Sequence, residues 1–598
     1  MTEYYQQQLI TSKTEIERFS QLINRFSLFR LGVILGGLSL LFLSFKFDNL
    51  LLSALIALFI IILFGWLVVK QTGFEKQREY FTARKMVLEN ELDSIADRGN
   101  IYSDGKDFID DHHQYTSDLD IFGPSSLFQL LNRGATKLGV HELGHWLKSP
   151  AEVSVINIRQ EAIKELSQKK DWRIHFQTVL VFNLKLDNDI VSNLHHYLKQ
   201  PIEQHKRLRL YVKAAPFIFL SILICTLLVP KTSIFLLLIS LIHAGLIVNN
   251  QLYINKTDAL IGKIGKTLGA YAEAFKAIEN ETWQSSLCVH LTDSLTTGTA
   301  NNISASIKQL SELIKKLDYR LNVYAAMVLN AIFLWDLKQV FAVEDWKESN
   351  KANIDEAFHV LAKFETLNSL TSLCVNNPEW VFPTVQESKK YLLEGKELGH
   401  PLIPKALRIH NDYSLNHECK IDIITGSNMA GKSTFLRTIG INTVMALCGA
   451  PVCARAMHIS PVELITYMRI RDSLNESTST FKAELNRLQM VLDLVPKKEN
   501  AFFLIDEMLR GTNSVDKYRG SKAVVEKLVA CKGVGIVATH DLQIAHLIQK
   551  YPSYIRNYYF DIEVRNGTMH FDYKLKAGEC KTFNASLLLK QIGVEIDE

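Results

Sequence analysis

Four nearly unbroken apolar stretches stand out from an otherwise amphipathic chain. Phe29 to Ser44 carries one charge, Arg30, at its edge, and Leu50 to Val69 carries none. Ala214 to Val229 is uncharged, and Thr232 to Val248 holds only His243. Each is about long enough to cross a bilayer, the second pair with help from Tyr211–Lys213 and Asn249–Leu252. The connectors, Lys46–Asn49 and Pro230–Lys231, are short, so the pattern predicts two transmembrane helical hairpins. Buried globular helices are the competing reading of the shorter second pair.

Elsewhere the periodicity is helical until late in the chain. Residues 4–26 form a polar helical pattern with Ile10, Ile16, Phe19 and Ile23 among its apolar positions. Residues 74–98 read as a charged helix continuing from the second apolar stretch and ending near Arg98-Gly99-Asn100. From Leu119 to about Leu393 the pattern stays helical, punctuated by Pro150, Pro201 and Pro378. After Gly399-His400-Pro401, short β-rich runs (Ile421–Thr425, Ala501–Ile505, Gly535–Thr539) alternate with helical stretches, which predicts parallel strands with crossover helices. A final hairpin, Tyr558–Val564 and Met569–Leu575, is predicted around Asn566-Gly567. The expected organisation is multi-domain: 1–72, a helix and the first hairpin; 73–118, a helical linker; 119–213, the first part of an all-α core; 214–250, the second hairpin; 251–395, the rest of the α core or lever; 396–598, an α/β domain.

Charge places these parts relative to a membrane. The net charge of +4, from 67 basic and 63 acidic residues, neither demands nor excludes nucleic acid. Its distribution says more. Arg25, Arg30, Lys70, Lys76 and Arg78 flank the outer ends of the first hairpin; Lys206, Arg207, Arg209 and Lys213 precede the second; Lys256 and Lys263 follow it. The positive-inside rule puts all these ends, and the soluble parts, on the cytoplasmic side of the cytoplasmic membrane. The first span starts too far in, and lacks a small-residue cleavage site, for a removable leader. The eight cysteines, at 225, 288, 374, 419, 448, 453, 531 and 580, include no C-x-x-C pair, which suits a reducing compartment and excludes a cysteine zinc framework.

Candidate chemistry concentrates in the α/β part. Gly426-Ser427-Asn428-Met429-Ala430-Gly431-Lys432-Ser433, followed by Thr434, has the form G-x-x-x-x-G-K-[ST] between a strand-like and a helix-like run. Glycines let backbone N–H groups turn onto phosphate oxygens, and the following helix N-terminus adds a favourable dipole. Lys432 would reach the β- and γ-phosphates of ATP, and Ser433 would offer a hydroxyl to Mg²⁺. The apolar run Ala501–Ile505 ends in Asp506 and Glu507, where one carboxylate helps hold Mg²⁺ and the next polarises the attacking water. His540, at the tip of Ile536–Thr539, is placed to sense or stabilise a γ-phosphate.

These motifs resemble the MutS family of DNA mismatch-repair ATPases. Thr425 to Thr434 is similar to TGPNMGGKST, Ser479-Thr480-Phe481 with Glu484 to STF-x-x-E, Asp506 to Asn513 with Asp516 to DE-x-GRGTS-x-x-D, and Ala538-Thr539-His540 to ATH. Upstream, Ser126–Phe128, Thr136, Gly139, Leu143, Trp146-Leu147, Pro150 and Arg159-Gln160 resemble the opening of the family's helical core. Leu367–Leu373 and His400–Leu402 resemble its last helix and the entry to the ATPase. The resemblance implies an α/β P-loop ATPase of the ABC/MutS type, working as a homodimer through its ATPase domains. It also implies a Ser479 that reaches the partner's nucleotide, and double-stranded or branched DNA as a further partner.

Departures qualify this. Ser427 and Ala430 replace a proline and a glycine at non-defining loop positions. Leu509 replaces a glycine, which predicts an altered dimer face, and Arg408 stands where an adenine-stacking aromatic is usual. Nothing in residues 1–111 resembles the mismatch-reading domain, and the second hairpin falls about where the family inserts its DNA clamp. A nucleotide-driven clamp acting on membrane or protein, without DNA, is therefore the alternative. His141-Glu142-Leu143-Gly144-His145 also matches the zinc-peptidase pattern H-E-x-x-H, yet the opposite helix face, Leu143, Trp146 and Leu147, is ordinary core. Asp110-Asp111-His112-His113 reads as a solvated linker. So does the polar face with Lys308, Lys315, Lys316 and Arg320, interrupted by Glu312 and Asp318.

Overall fold

The apolar stretches belong to helices much longer than themselves. A computed structural model describes residues 1–46, 50–96, 99–185, 190–201, 205–229, 232–262, 264–296, 302–387, 391–415, 420–427, 429–468, 480–565 and 568–580. Thr2–Phe45 and Leu50–Ile95 are single helices of 44 and 46 residues, each about 66–69 Å long. Their apolar halves form the hairpin tip, where Gly37 lets Ile60 approach to a distance no Cβ would allow and the Ser44 and Ser53 hydroxyls share a buried hydrogen bond of 2.9 Å. Their polar halves continue as a two-helix stalk whose base buries Tyr5, Val87 and Leu88 with Ile174 and Val181. Among the described residues three helices are long and apolar enough to cross a membrane: these two and Lys206–Leu228. Ser233–Asn249 joins them only when taken with the sharply bent Gln251–Ile261. A second bent pair, Val323–Phe333 with Trp335–Lys351, passes the same test and was not singled out from the sequence.

The stalk is tied to the soluble part by a buried ion pair. Arg133 Nε and Nη2 meet the two Glu91 carboxylate oxygens at 2.6 and 3.2 Å, with both side chains essentially solvent-free. Asn376, at the end of the 42-residue helix Trp335–Asn376, donates to Glu91 at 2.8 Å and accepts from the Tyr5 hydroxyl at 3.1 Å. Removing one member of such a pair strands a buried charge, at a cost of about 3–5 kcal/mol.

The helical pattern expected to about Leu393 ends at Asn376, and strands begin at once. Among the described residues these are β1 (Thr384–Val385), β2 (Leu393–Leu398), β3 (Asn411–Leu415), β4 (Ile421–Thr425), β5 (Ala456–Ile459), β6 (Glu463–Tyr467), β7 (Ala501–Asp506), β8 (Val534–Thr539), β9 (Ile555–Arg565) and β10 (Thr568–Ala577). A small sheet has the order β1-β5-β2-β3, and the main sheet β10-β9-β4-β8-β7-β6. In the main sheet β6, β7, β8, β4 and β9 are parallel and only β10 is antiparallel. Arg565 pairs with Thr568, leaving two residues for the hairpin turn at Asn566-Gly567, which lies outside the described residues. β4, β7 and β8 are buried along their whole length, as central parallel strands covered on both faces must be.

The boundary drawn at 395/396 separates chemistry but not packing. One hydrophobic core runs from Tyr115 and Leu119 through the helices to Leu436, Leu504 and Phe560. Several polar contacts cross the same border. Arg159 lies over the Trp146 ring at 3.4 Å and donates across that border to the Cys448 carbonyl at 3.1 Å. Arg487 and Thr466 both hold Asp118, at 3.2 and 2.7 Å. The segment read as a solvated linker is accordingly only partly so: Asp110 to His112 are exposed, while His113 is half-buried beside the Lys148 carbonyl.

Glu365 gives this core a pH dependence. It is fully buried, accepts hydrogen bonds from the Ala135 and Thr136 N–H groups at 2.8 and 3.1 Å, and is also bonded by the Thr136 hydroxyl. Burial pushes its carboxyl from 4.5 up to about 7 despite these donors. A carboxyl raised in the folded state favours folding at low pH, so that stability is lost as pH climbs from about 4.5 through about 7. Glu365→Gln can keep the contacts, its oxygen accepting both N–H groups and its amide donating to Thr136 Oγ1. Thermal unfolding at pH 5 and pH 8 should show the native chain losing about 3 kcal/mol more than the variant; equal losses would contradict the assignment.

Candidate functional site

The site is built where β4 runs into the helix Lys432–Cys448. β4 is held between β8 and β9, in register Thr425 opposite Thr539 and Tyr559. The chain then turns sharply, with φ of 148° at Gly426, 72° at Met429 and 104° at Gly431. Gly431 is required twice over: its φ is left-handed, and a Cβ there would lie 3.0 Å from the Tyr573 ring. The helix that follows has its free N–H groups at the mouth of a cavity of about 370 Å³.

The charged groups converge there from three strand ends. Lys432 arches back over its own loop, donating to the Gly426 and Ser427 carbonyls at 2.7 and 2.8 Å. Burial lowers its pKa, against the opposing charges of Glu507 and Asp506. Asp506, the last residue of β7, is raised chiefly by burial, while a hydrogen bond to Ser433 and the nearby Arg510 pull the other way. Glu507 follows in a left-handed conformation (φ 56°) that its N–H, donating to Ala538 at 3.0 Å, helps to hold. Its carboxylate is bonded to His540 Nδ1 at the end of β8 and lies 3.1 Å from Arg510 Nε. The His540 hydrogen bond and these charges draw it down to about 2, against burial. A carboxylate this acidic is a poor proton acceptor but a good fixed negative charge for orienting a water molecule.

Lys432, Ser433, Thr434, Gly431, Met429, Asp506 and Glu507 all line the one cavity, with His540 one bond behind Glu507. Ala430 is buried beneath the loop, and Gly426 and Ser427 reach the site through their carbonyls to Lys432. Asn428 and Ser479 lie outside the described residues. The helix after Ser479, Thr480–Leu494, docks on the Asp506–Asn513 loop, with Glu484 buried and Gly511 N donating to it at 3.5 Å. Asn513 caps the next helix by accepting from Asp516 N at 2.9 Å.

Residues 422–587 match the family model for MutS domain V. A segment of 226 residues, 37% of this chain, is 31% identical to the DNA mismatch repair protein MutS of Aquifex pyrophilus and covers 26% of that protein. The MutS of Thermotoga neapolitana is 30% identical over 211 residues (34% of this chain, 25% of the relative), and that of Caldicellulosiruptor bescii 29% over 249 (40% and 28%). The C-terminal part of the chain is similar to MutS domain V. The likeness is to the C-terminal domain, since the matched segment spans about a quarter of the length of these relatives.

Against the MutS-derived expectations, two residues are placed differently. Arg408 does not line the cavity. It donates to the Ile403 carbonyl at 2.9 and 3.1 Å and sits 5.5 Å from the Trp380 ring, in a separate groove beside Arg133. The apolar end of the cavity is formed instead by Leu398, Ile403, Leu407, Ile409 and Tyr573. His400 also lines it, held neutral with its pKa pushed down to about 4 by burial and by Arg437 and Arg408. Tyr573 is fixed by Asn411, which donates to its carbonyl at 3.0 Å and accepts from Leu575 N at 2.9 Å. Leu509, expected at a dimer face, is buried inside the subunit at φ 56°, its N–H 3.4 Å from the Tyr467 hydroxyl. That left-handed backbone explains why glycine is the usual MutS residue there.

The H-E-x-x-H stretch forms a surface helix turn. His141 and His145 are exposed, His141 edge-on to Phe108, while Glu142 accepts a hydrogen bond from Trp146 Nε1 at 2.8 Å. Among the described residues no group of three His, Cys, Asp or Glu side chains gathers there or elsewhere.

The loop geometry makes a testable claim. Gly431→Ala should destabilise the protein by about 1–2 kcal/mol through left-handed strain and contact with Tyr573. Adding Tyr573→Ala should recover only the contact part, because the strain at φ 104° remains. Full recovery of the melting temperature in the double variant would refute the backbone argument.

Proposed function

We propose that this chain is a membrane-anchored MutS-type ATPase, and that the cavity at the ends of β4, β7 and β8 binds and hydrolyses ATP with Mg²⁺. The observation that carries this is the convergence of Lys432 and Ser433, after β4, with Asp506 and Glu507, at the end of β7, on one cavity beside a helix N-terminus. On this reading the ATP phosphates displace the two loop carbonyls from Lys432, whose freed ammonium then meets the β- and γ-oxygens. The Ser433 hydroxyl and the Asp506 carboxylate are the hard, adjacent oxygen ligands that suit Mg²⁺, which when bound neutralises phosphate charge. Glu507, kept ionised by His540 and Arg510, orients the attacking water, and His540 reports the γ-phosphate to it. The adenine lies between Tyr573, Ile403, Leu407 and Ile409, with the neutral His400 edge beside them.

The remaining parts follow from family likeness and from the apolar helices. Two ATPase domains pair as a homodimer, with Ser479 of each reaching the nucleotide of the other. The soluble parts lie on the cytoplasmic side of the cytoplasmic membrane, held by the apolar hairpins, and the dimer clamps double-stranded or branched DNA. One observation favours the reading without DNA. Lys315 lies near Lys76, Lys266 and Lys308, with Glu312 among them, and Lys266 pairs with Glu79 of the stalk at 2.9 Å, so this mixed group sits against the stalk of the first hairpin, where membrane or protein can be its target.

Steady-state ATP hydrolysis by the detergent-purified protein separates these readings. Turnover should require Mg²⁺ and fall at least 100-fold in Lys432→Ala or Glu507→Gln. Stimulation by homoduplex, mismatched or branched DNA, absent in Lys432→Ala, supports the clamp on DNA. Turnover indifferent to every DNA removes DNA from the proposal, and no turnover at all removes the ATPase.

A further inference from the structure

Helix Val323–Phe333 is an apolar element, one side of which the described residues leave uncovered. Leu321 to Trp335 contains no Asp, Glu, Lys, Arg or His. Tyr324 and Met327 are 85% and 74% exposed, and Val323 and Val328 share their face. The opposite side packs on the helices Ser233–Asn249 and Lys206–Leu228, the second apolar hairpin. The contact is specific. His243, with no exposed surface, donates from Nδ1 to the Ala331 carbonyl at 2.7 Å, which leaves Nε2 to accept from the Tyr211 hydroxyl at 3.1 Å. Ala331 is in the last turn of its helix, where carbonyls lack partners within the helix. A histidine from one apolar helix thus satisfies the frayed end of another, as backbone buried in hydrocarbon requires.

We infer that residues 321–335 are a third membrane-embedded element, inserted in the lipid beside the second hairpin without crossing the bilayer. The inference rests on reading that hairpin as membrane-spanning. Eleven residues of helix reach only about 16 Å, about half of the roughly 30 Å hydrocarbon core. The chain then leaves the lipid at once. Leu334 turns it through a left-handed conformation (φ 49°), the helix axis bends by 77°, and Asn330 caps the new helix by accepting from Asp336 N at 3.0 Å. From Asp336 the helix is charged, packs through Leu337, Val340 and Phe341 on the foot of the second hairpin and joins the main core at Val343 and Trp346, so its charges rule it out as the other half of a broken span.

Lipid is favoured over a protein partner because the exposed face continues that of the hairpin, where Phe217, Leu220, Leu237 and Leu241 are also exposed. It is also rimmed as membrane elements are. Tyr319 and Trp335 stack at 6.2 Å, Trp335 Nε1 donates to the Lys316 carbonyl at 2.8 Å, and Lys338 lies 5.9 Å from the Trp335 ring. Aromatic rings with lysines around them mark the level of the headgroups.

The test needs no substitution. The full chain is reconstituted in phosphatidylethanolamine–phosphatidylglycerol vesicles with a trace of phospholipid bearing a diazirine near its acyl-chain end. After irradiation, adducts are mapped by peptide mass spectrometry. The expected result is labelling of Tyr324, Met327 and Val328 at a level comparable with Leu51–Val69 and Ser233–Asn249. It should be several-fold above the exposed apolar Leu407 and Val515 of the soluble part. Labelled hairpins with an unlabelled 321–333 segment would overturn the inference alone, whether water or protein covers it. Labelling no stronger than at Leu407 would do the same. Hairpins without label would overturn the membrane reading, and this inference with it.

Discussion

The helix Lys432–Cys448 is buried on almost every side, and that constraint organises the protein. Its N-terminus closes the phosphate-type loop, its middle packs on Leu119 and Leu504 through Gly440, and its end is held by Arg159 and Ala151 from the helical region. A helix buried on nearly every side, polar Thr438, Asn442 and Thr443 included, is central to the fold. Because it is central, the strand ends bearing Asp506 and His540 and the helical region that leads to the apolar hairpins share one core. Packed cores shift between discrete arrangements more readily than they deform. A ligand that pulls Lys432 off its own loop therefore acts on an element already in contact with both halves of the molecule.

The second structural theme is the route from that core to the hairpins. The first hairpin continues without a break into the stalk, and the stalk ends on the Glu91–Arg133 pair, where Tyr5 and Asn376 meet it. Asn376 closes the same 42-residue helix that begins, at Trp335, beside the apolar Val323–Phe333 element and the second hairpin. One long helix thus reaches from the second hairpin to the base of the first hairpin's stalk, and its C-terminal part packs on the helices Lys137–Lys148 and Val153–Gln168. Such contiguity is what mechanical coupling needs, although the physical proof of coupling is a two-state element biased from both ends.

How far the sequence could be read follows from how local each feature is. The loop from Gly426 to Thr434 was legible because its chemistry needs contiguous residues, and the long central strands because they are buried throughout. Asp506, Glu507 and His540 were legible as strand tips. Tyr573 was not, since it enters the cavity from the late hairpin and carries no motif, and His400 was read only as part of the entry to the α/β domain, not as a wall of the cavity. Arg408 was misassigned because only the packing against Trp380 tells which way its side chain turns. Leu509 was misplaced for a similar reason: a left-handed backbone inside the core leaves no trace in the residue type. β1 and β5 are too short to show a period, and β2 and β3, no shorter than β4, are partly exposed and lack its unbroken apolar run. Val323–Phe333 was overlooked because a short uncharged run looks like ordinary core until a structure leaves it uncovered.

The central claim is that the cavity around Lys432 is a nucleotide site in which binding and turnover are carried by different residues. Equilibrium binding of a fluorescent, non-hydrolysable ATP analogue with Mg²⁺ tests it most directly, in the native chain, Lys432→Ala and Glu507→Gln. The account predicts comparable binding by the native and Glu507→Gln proteins and a loss of at least about tenfold in Lys432→Ala, equivalent to about 1.4 kcal/mol or more. Binding that is unchanged in Lys432→Ala would contradict it.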